Sequence, residues 1–265
     1  MRTSPAKKTT FNELQNKKLD KFYVIIHVVT VKMPIKRDTG ISNVNIYILY
    51  GISLNGSKKI IGIYEENIQD NRFWLETLEY IKARDLEKIL FVSMESNKKL
   101  EQAFKIMYNN VQIVPSAVKI ISSISSYTNQ KWQSETEKDI LKVFLADNVE
   151  ESDKVMLDIK EKHNDNKIAV MLLDRYSENI RKYYKYEKSF RHLFCSYFTI
   201  KIMKGNIVRL NNIKDIFESI ESIFNRLLDY YTVFENTKSY TKKEWVLILN
   251  DIYVKFSAEV EEYIV

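Results

Sequence analysis

The chain is poor in the residues that interrupt or staple a backbone: its 265 residues include five Gly, three Pro and one Cys. Average usage is about 7% Gly and 5% Pro, so glycine-built chemistry is disfavoured from the outset. A dinucleotide fingerprint needs three closely spaced glycines. The nearest pair here is Gly51 and Gly56, which excludes a Rossmann phosphate loop. A single thiol, Cys195, excludes an intramolecular disulfide and a thiolate zinc cluster, and His27, His163 and His192 lie far apart along the chain. Cys195 is expected to be a buried or half-buried helix residue. No apolar run reaches the roughly 18 residues of a membrane span. The stretch Met1 to Phe11, with Arg2, Lys7 and Lys8, lacks the apolar centre of a signal peptide. The expectation is a cytoplasmic protein without a membrane partner.

Enough apolar residues are present for a sizeable core, at 45% hydrophobic. A net charge of +6 and a pI of about 9.0 favour nucleic acid over acidic substrates as a partner, although lysine accumulation through codon drift produces the same excess.

The pattern along the chain changes once. After a polar, basic stretch over 1–19, Phe22 to Met33 is β-branched and almost continuous, as in a central strand buried on both faces. Asn43 to Leu54 and Lys58 to Tyr64 flank Asn55-Gly56, a strong hairpin signal. Between Asp70 and Arg84, Phe73, Trp74, Leu75, Leu78 and Ile81 share a helical face, which makes Trp74 a core residue. Ile89 to Val92 reads as a strand, Lys98 to Tyr108 as a helix and Val111 to Val114 as a fifth strand. Strand, hairpin, helix, strand, helix, strand is the order of an α/β ribonuclease-H-like core, a five-stranded mixed sheet with helical crossovers. Beyond Pro115 the pattern is helical: Asp139 to Leu145, Glu151 to Lys162, Ile168 to Tyr186, Phe190 to Met203, Ile213 to Phe234 and Lys243 to Ile264. The organisation expected is a basic segment over 1–19, the core over 20–117, a helical insertion over 118–190, and C-terminal helices over 191–265 that complete the core.

Several stretches carry a more specific signal. Gln15-Asn16-Lys17-Lys18-Leu19-Asp20 with Tyr23, the hairpin from Ile46 to Tyr64, Asn71-Arg72-Phe73-Trp74-Leu75 with Leu78, and Arg84-Asp85-Leu86-Glu87-Lys88-Ile89-Leu90 follow one another in order. So do Glu178-Asn179, Tyr183-Tyr184-Lys185-Tyr186, Arg191, and Trp245 to Asn250. Together they resemble the transposases of bacterial mutator-type insertion sequences, in truncated and diverged form. The hairpin is the most specific piece. The resemblance covers the later part of a family member and not most of its N-terminal DNA-binding region.

The resemblance implies a Mg²⁺-dependent phosphoryl-transfer enzyme in which three carboxylates hold the metal ions. The first acid position falls on Val29, the second on Glu95 and the third on Lys201; the His expected after the fifth strand is Ala117. One carboxylate of three is retained. A valine cannot ligate, and a lysine would repel a divalent cation. The expectation is DNA binding without Mg²⁺-dependent cleavage, with Glu95 the single retained catalytic-type residue and no cofactor. Asp20 or Asp38 could serve as substitute acids only under a shifted register. A non-enzymatic interaction or regulatory remnant of a transposase is the alternative. A second copy of the chain or an intact transposase would be a further partner.

Two other constellations invite a functional reading. Gly51 to Lys58 imitates a phosphate loop, but it lies in a hairpin with Ser and Lys reversed. The run Ile180 to His192 interleaves basic and aromatic residues, as a surface gripping phosphates and stacking bases would. Within it Arg181, Lys182, Lys185 and Arg191 are the candidate phosphate contacts. The competing reading is a helix whose tyrosines pack inward under solvated cations.

Overall fold

A β-branched run that can be buried on both faces needs a neighbour on each edge, and the computed structural model supplies both. It describes residues 10–66, 70, 72–128, 133–195, 216–225 and 240–263. Strand β1 (Phe22–Arg37) pairs antiparallel with β2 (Gly40–Ser53) on one side and parallel with β4 (Lys88–Met94) on the other. With β3 (Lys58–Glu65) and β5 (Gln112–Pro115) the sheet has five strands in the order β3-β2-β1-β4-β5. The chain divides into two compact units, Met1–Ile113 with Thr199–Ser239, and Val114–Phe198 with Tyr240–Val265.

In the first unit, α2 (Phe73–Lys82) and α3 (Lys98–Met107) bury Trp74, Leu78, Ile81, Leu100 and Phe104 in one core with Ile26, Val28, Leu49, Ile61 and Val92 of the sheet. The predicted hairpin forms at Asn55-Gly56. Gly56 donates its N–H to the Ser53 carbonyl at 2.9 Å and takes a φ of +78°, the left-handed conformation that glycine adopts without steric cost. Asn55 Oδ1 also accepts from the Ser57 N–H at 2.8 Å.

Two features depart from the sequence expectation. β1 continues past Met33 through Pro34 and turns at Asp38-Thr39, which lengthens the first hairpin. Proline is tolerated because Pro34 has its free backbone edge away from β2. On that edge its carbonyl accepts from Phe217 N at 3.0 Å while Lys36 N donates to Phe217 O at 2.7 Å. The basic stretch is also packed in part from Thr10 onward, with Lys17 and Lys18 left exposed. Thr10 and Glu13 form a capping box for α1 (Phe11–Asn16), and Leu14 and Leu19 are buried. The buried Arg84 clamps this segment, donating to the carbonyls of Lys17 (2.9 Å), Leu14 (3.0 Å) and Ile61 (2.7 Å).

The second unit is helical among its described residues. Its elements are α4 (Ala117–Ser125), α5 (Gln133–Leu145), α6 (Val149–Lys162), α7 (Lys167–Arg181), a 3₁₀ turn over Lys182–Lys185, α8 (Lys188–Phe194) and α9 (Lys242–Val260). Asn148 caps α6 and Thr241 with Glu244 forms a capping box for α9. The helix expected over 168–186 therefore breaks at Arg181, and α4 has no counterpart among the expected helices. α9 groups with this unit, whereas the sequence pattern assigns all of 191–265 to completing the sheet domain. Most of the helices expected over 190–203 and 213–234 lie outside the described residues; 220–225 is helical. Cys195 is buried at the end of α8.

Candidate active-site edge and nucleic-acid surface

The parallel pairing of β1 with β4 decides what stands at the end of these strands. Its last registered pair is His27 with Ser93. Val29 and Glu95 each lie two residues beyond that pair, past the end of the ladder. Val29 is buried and pairs with Ile48 on its other side. Glu95 directly follows β4 and is half-buried. Lys201 lies outside the described residues.

Neither substitute acid reaches this edge. Asp20 precedes Phe22, which pairs with Lys88 at the opposite end of β4, and its carboxylate is bonded to Lys59 Nζ at 2.8 Å. Asp38 is exposed at the far tip of the β1–β2 hairpin. Among the described residues no group of three His, Cys, Asp or Glu side chains could hold a metal ion. The residues at the family's first two acid positions, a valine and one carboxylate, do not make up the three-carboxylate set that the resemblance implies. Ala117, where a histidine was expected, is buried at the start of α4.

What the sequence did not reveal is a polar network on the α2–α3 side of the sheet. Glu66, just past β3, accepts from Tyr47 Oη (2.8 Å), Trp74 Nε1 (2.9 Å) and Asn97 Nδ2 (3.1 Å). Asn97 also donates to Tyr47 Oη at 3.1 Å and caps α3 through Leu100 N. Burial pushes the Glu66 carboxyl up, but the bonds from Trp74, Tyr47, Asn97 and Asn45 outweigh it and hold the group below the usual carboxylate range. The Tyr47 phenol is pushed well up by burial first, then by its bond to Glu66 and by the nearby charges of Glu66 and Glu95. The N-cap role of Asn97 is visible from its position before a helix. Its second role needs β2, β3 and α2 folded around it.

This network gives a pH prediction. A depressed folded-state pKa contributes stability above the unfolded-state value and loses it as pH falls through the folded value. Glu66→Ala should leave the Trp74 and Asn97 donors without their acceptor and cost about 1–3 kcal/mol at pH 7. The difference from wild type should shrink as pH falls below the ordinary glutamate value of about 4.3, as read by urea unfolding at each pH.

Within the basic and aromatic run 180–192 the tyrosines follow the inward-packing reading. Tyr183 is buried with its hydroxyl on the Pro115 carbonyl, and Tyr184 Oη donates to the Val143 carbonyl, so these two tyrosines pack inward. Arg191 is an internal strut and not a surface cation placed for a phosphate. It is 3% exposed, it donates to the carbonyls of Phe144 (2.9 Å) and Ala146 (2.7 Å), and its guanidinium lies 4.3 Å from the Tyr184 ring centre. Arg181 is exposed but paired with Asp153 (3.1 Å) and Glu178 (3.0 Å). Lys182 donates to Asn179 Oδ1 at 3.3 Å, and Lys185 sits over the Tyr186 ring at 4.8 Å. Both ammonium groups remain exposed with no carboxylate partner among the described residues.

A family model described as "Transposase, Mutator family" matches residues 4–244. The chain belongs to the mutator transposase family. Among curated proteins it is similar to the "Transposase for insertion sequence element ISRM3" of Rhizobium meliloti (strain 1021). The identity there is 19% over 239 residues, covering 88% of this chain and 59% of the relative. A relative from Sinorhizobium fredii, "Probable transposase for insertion sequence element ISRM3-like", matches with the same identity and coverage. A third, from Corynebacterium diphtheriae, is 20% identical over 132 residues, which is 50% of this chain and 38% of that protein. The chain thus spans less than two thirds of the length of the transposases it matches. Among the described residues no helix is long and apolar enough to cross a membrane.

Proposed function

We propose that this mutator-family chain is a DNA-binding protein with a ribonuclease-H-like core that has lost metal-dependent strand cleavage. The observation that carries the reading is that, among the described residues, no group of three His, Cys, Asp or Glu side chains could hold a metal ion, while a buried valine stands at the first acid position. In-line phosphoryl transfer requires carboxylates clustered around divalent ions. A buried valine at the first position supplies no ligand, and Glu66 and Glu95, both close enough to act on Tyr47, do not make up a three-carboxylate set. The strand order β3-β2-β1-β4-β5, with β1 antiparallel to β2 and parallel to β4, supports the ribonuclease-H-like assignment. DNA as partner is supported by family membership, by the +6 charge and by the exposed cations Lys182 and Lys185. Such a protein would act in the cytoplasm, on DNA that an intact transposase or a second copy of the chain also occupies.

The test is a salt titration of duplex binding by fluorescence anisotropy. Each phosphate contact contributes a slope of about −0.9 in log K against log salt. Binding should weaken steeply between 50 and 200 mM salt, and Lys182→Ala with Lys185→Ala should flatten the slope by about 2. Absence of binding even at low salt would overturn the DNA reading in favour of a protein-interaction role.

A further inference from the structure

The β1–β2 hairpin outruns the sheet that supports it. β3 leaves β2 at Ile46, and β4 leaves β1 at His27. Beyond those points Val31 to Arg37 and Gly40 to Asn45 continue as a two-stranded antiparallel ribbon, strapped on one edge by the bridge from Ile35 to Phe217. Directly paired residues share a face in an antiparallel ribbon. The pairs Val31–Ile46, Met33–Val44 and Ile35–Ser42 make one face, on which Met33 and Ile35 are fully buried. The pairs Lys32–Asn45, Pro34–Asn43 and Lys36–Ile41 make the other, on which Lys32, Lys36, Asn43 and Ile41 are exposed.

We propose that this outer face is a duplex-DNA contact, laid into the major groove, with Lys32 and Lys36 on phosphates and Asn43 on a base edge. The inference rests on the DNA-binding reading above and adds where the duplex is held. Dimensions allow it. Seven residues of ribbon extend roughly 23 Å, and two strands about 4.8 Å apart, with their side chains, fit a groove about 12 Å wide. Chemistry favours it as well. Among the described residues neither Lys32 nor Lys36 has a carboxylate partner, while the neighbouring Arg37 is neutralised by Glu65. A carboxamide can bond adenine in two places, and an exposed Ile41 side chain suits a thymine methyl. The centre of a protein–protein interface would instead be depleted in lysine. The ribbon also leaves the sheet from the strand that carries Val29, so the duplex it holds would run past the edge where Glu95 stands.

The test uses the full chain and a fluorescent duplex. Lys32→Ala with Lys36→Ala should weaken binding roughly tenfold at 50 mM salt and reduce the magnitude of the salt slope by about 2. Circular dichroism melting of the same variant should match wild type, because both side chains point to solvent. Asn43→Ala should leave the slope unchanged and narrow the spread of affinities across duplexes of different base sequence. If wild type binds and the double-lysine variant binds with the same affinity and slope, the ribbon proposal fails while the DNA-binding reading stands. If wild type binds no duplex at low salt, both fail. If Asn43→Ala leaves the sequence spread as it was, the base contact is wrong.

Discussion

Arg191→Ala is expected to destabilise the second unit by about 2–4 kcal/mol without weakening DNA binding of the protein that remains folded. The guanidinium serves the C-terminus of α5. The last carbonyls of a helix have no intrahelical donor and sit at the negative end of its dipole. Arg191 bonds two carbonyls there, of Phe144 and Ala146, and lies over the Tyr184 ring. Bonds to a charged group contribute about 1.5–3 kcal/mol each. The net loss is smaller than their sum because Arg191 Nε is buried without a partner among the described residues, a cost that alanine removes. Arg191→Lys should recover only part of the loss, since one ammonium cannot reproduce the planar fork. Urea unfolding of wild type and both variants measures the cost. Anisotropy on the folded variants separates the strut from a phosphate contact, whose removal would lower affinity at unchanged stability.

Gly51→Ala is expected to cost about 2–3 kcal/mol, and Gly51→Val more. Gly51 lies in β2 beneath the ring of Tyr23. A Cβ added there would overlap Tyr23 Cδ1 and stand 2.6 Å from Cε1, well inside contact distance. Tyr23 is fully buried, so its ring cannot swing into solvent. The strand and the ring must shift against a packed core. The clash predicts non-additivity: Gly51→Ala in a Tyr23→Leu background should cost less than in wild type, with a coupling of about 1 kcal/mol or more from the thermodynamic cycle. Equal costs in both backgrounds would mean that the ring is not what requires glycine. The hairpin that carries the family resemblance thus contains a glycine with a packing reason of its own.

The sheet was largely legible because its strands announce themselves. Phe22 to Met33 has no polar face to offer water, so it had to be central, and Asn55-Gly56 left one way to join the next two strands. Pro34 hid the continuation of β1, since its tolerance depends on Phe217, far away in sequence. Leu14 and Leu19 are too isolated among polar and basic residues to mark a packed segment until Arg84 gathers their backbone. The candidate site was legible in part. The positions of Val29 and Glu95 came from the resemblance, and the β1–β4 ladder ends two residues short of both. Arg191 and Lys185 look alike in sequence, but only the first meets a helix C-terminus. Glu66 carried no local signal, because its partners come from β2, α2 and the start of α3.

Loss of cleavage with DNA binding retained is tested most directly by a nicking assay on supercoiled plasmid DNA with Mg²⁺ or Mn²⁺, at protein concentrations that shift the same plasmid on a gel. DNA should be bound while the supercoiled form stays intact, with wild type and Glu95→Ala indistinguishable. Metal-dependent nicking by wild type that disappears in Glu95→Ala would contradict this, and would show that other acids join Glu95 to complete a working site.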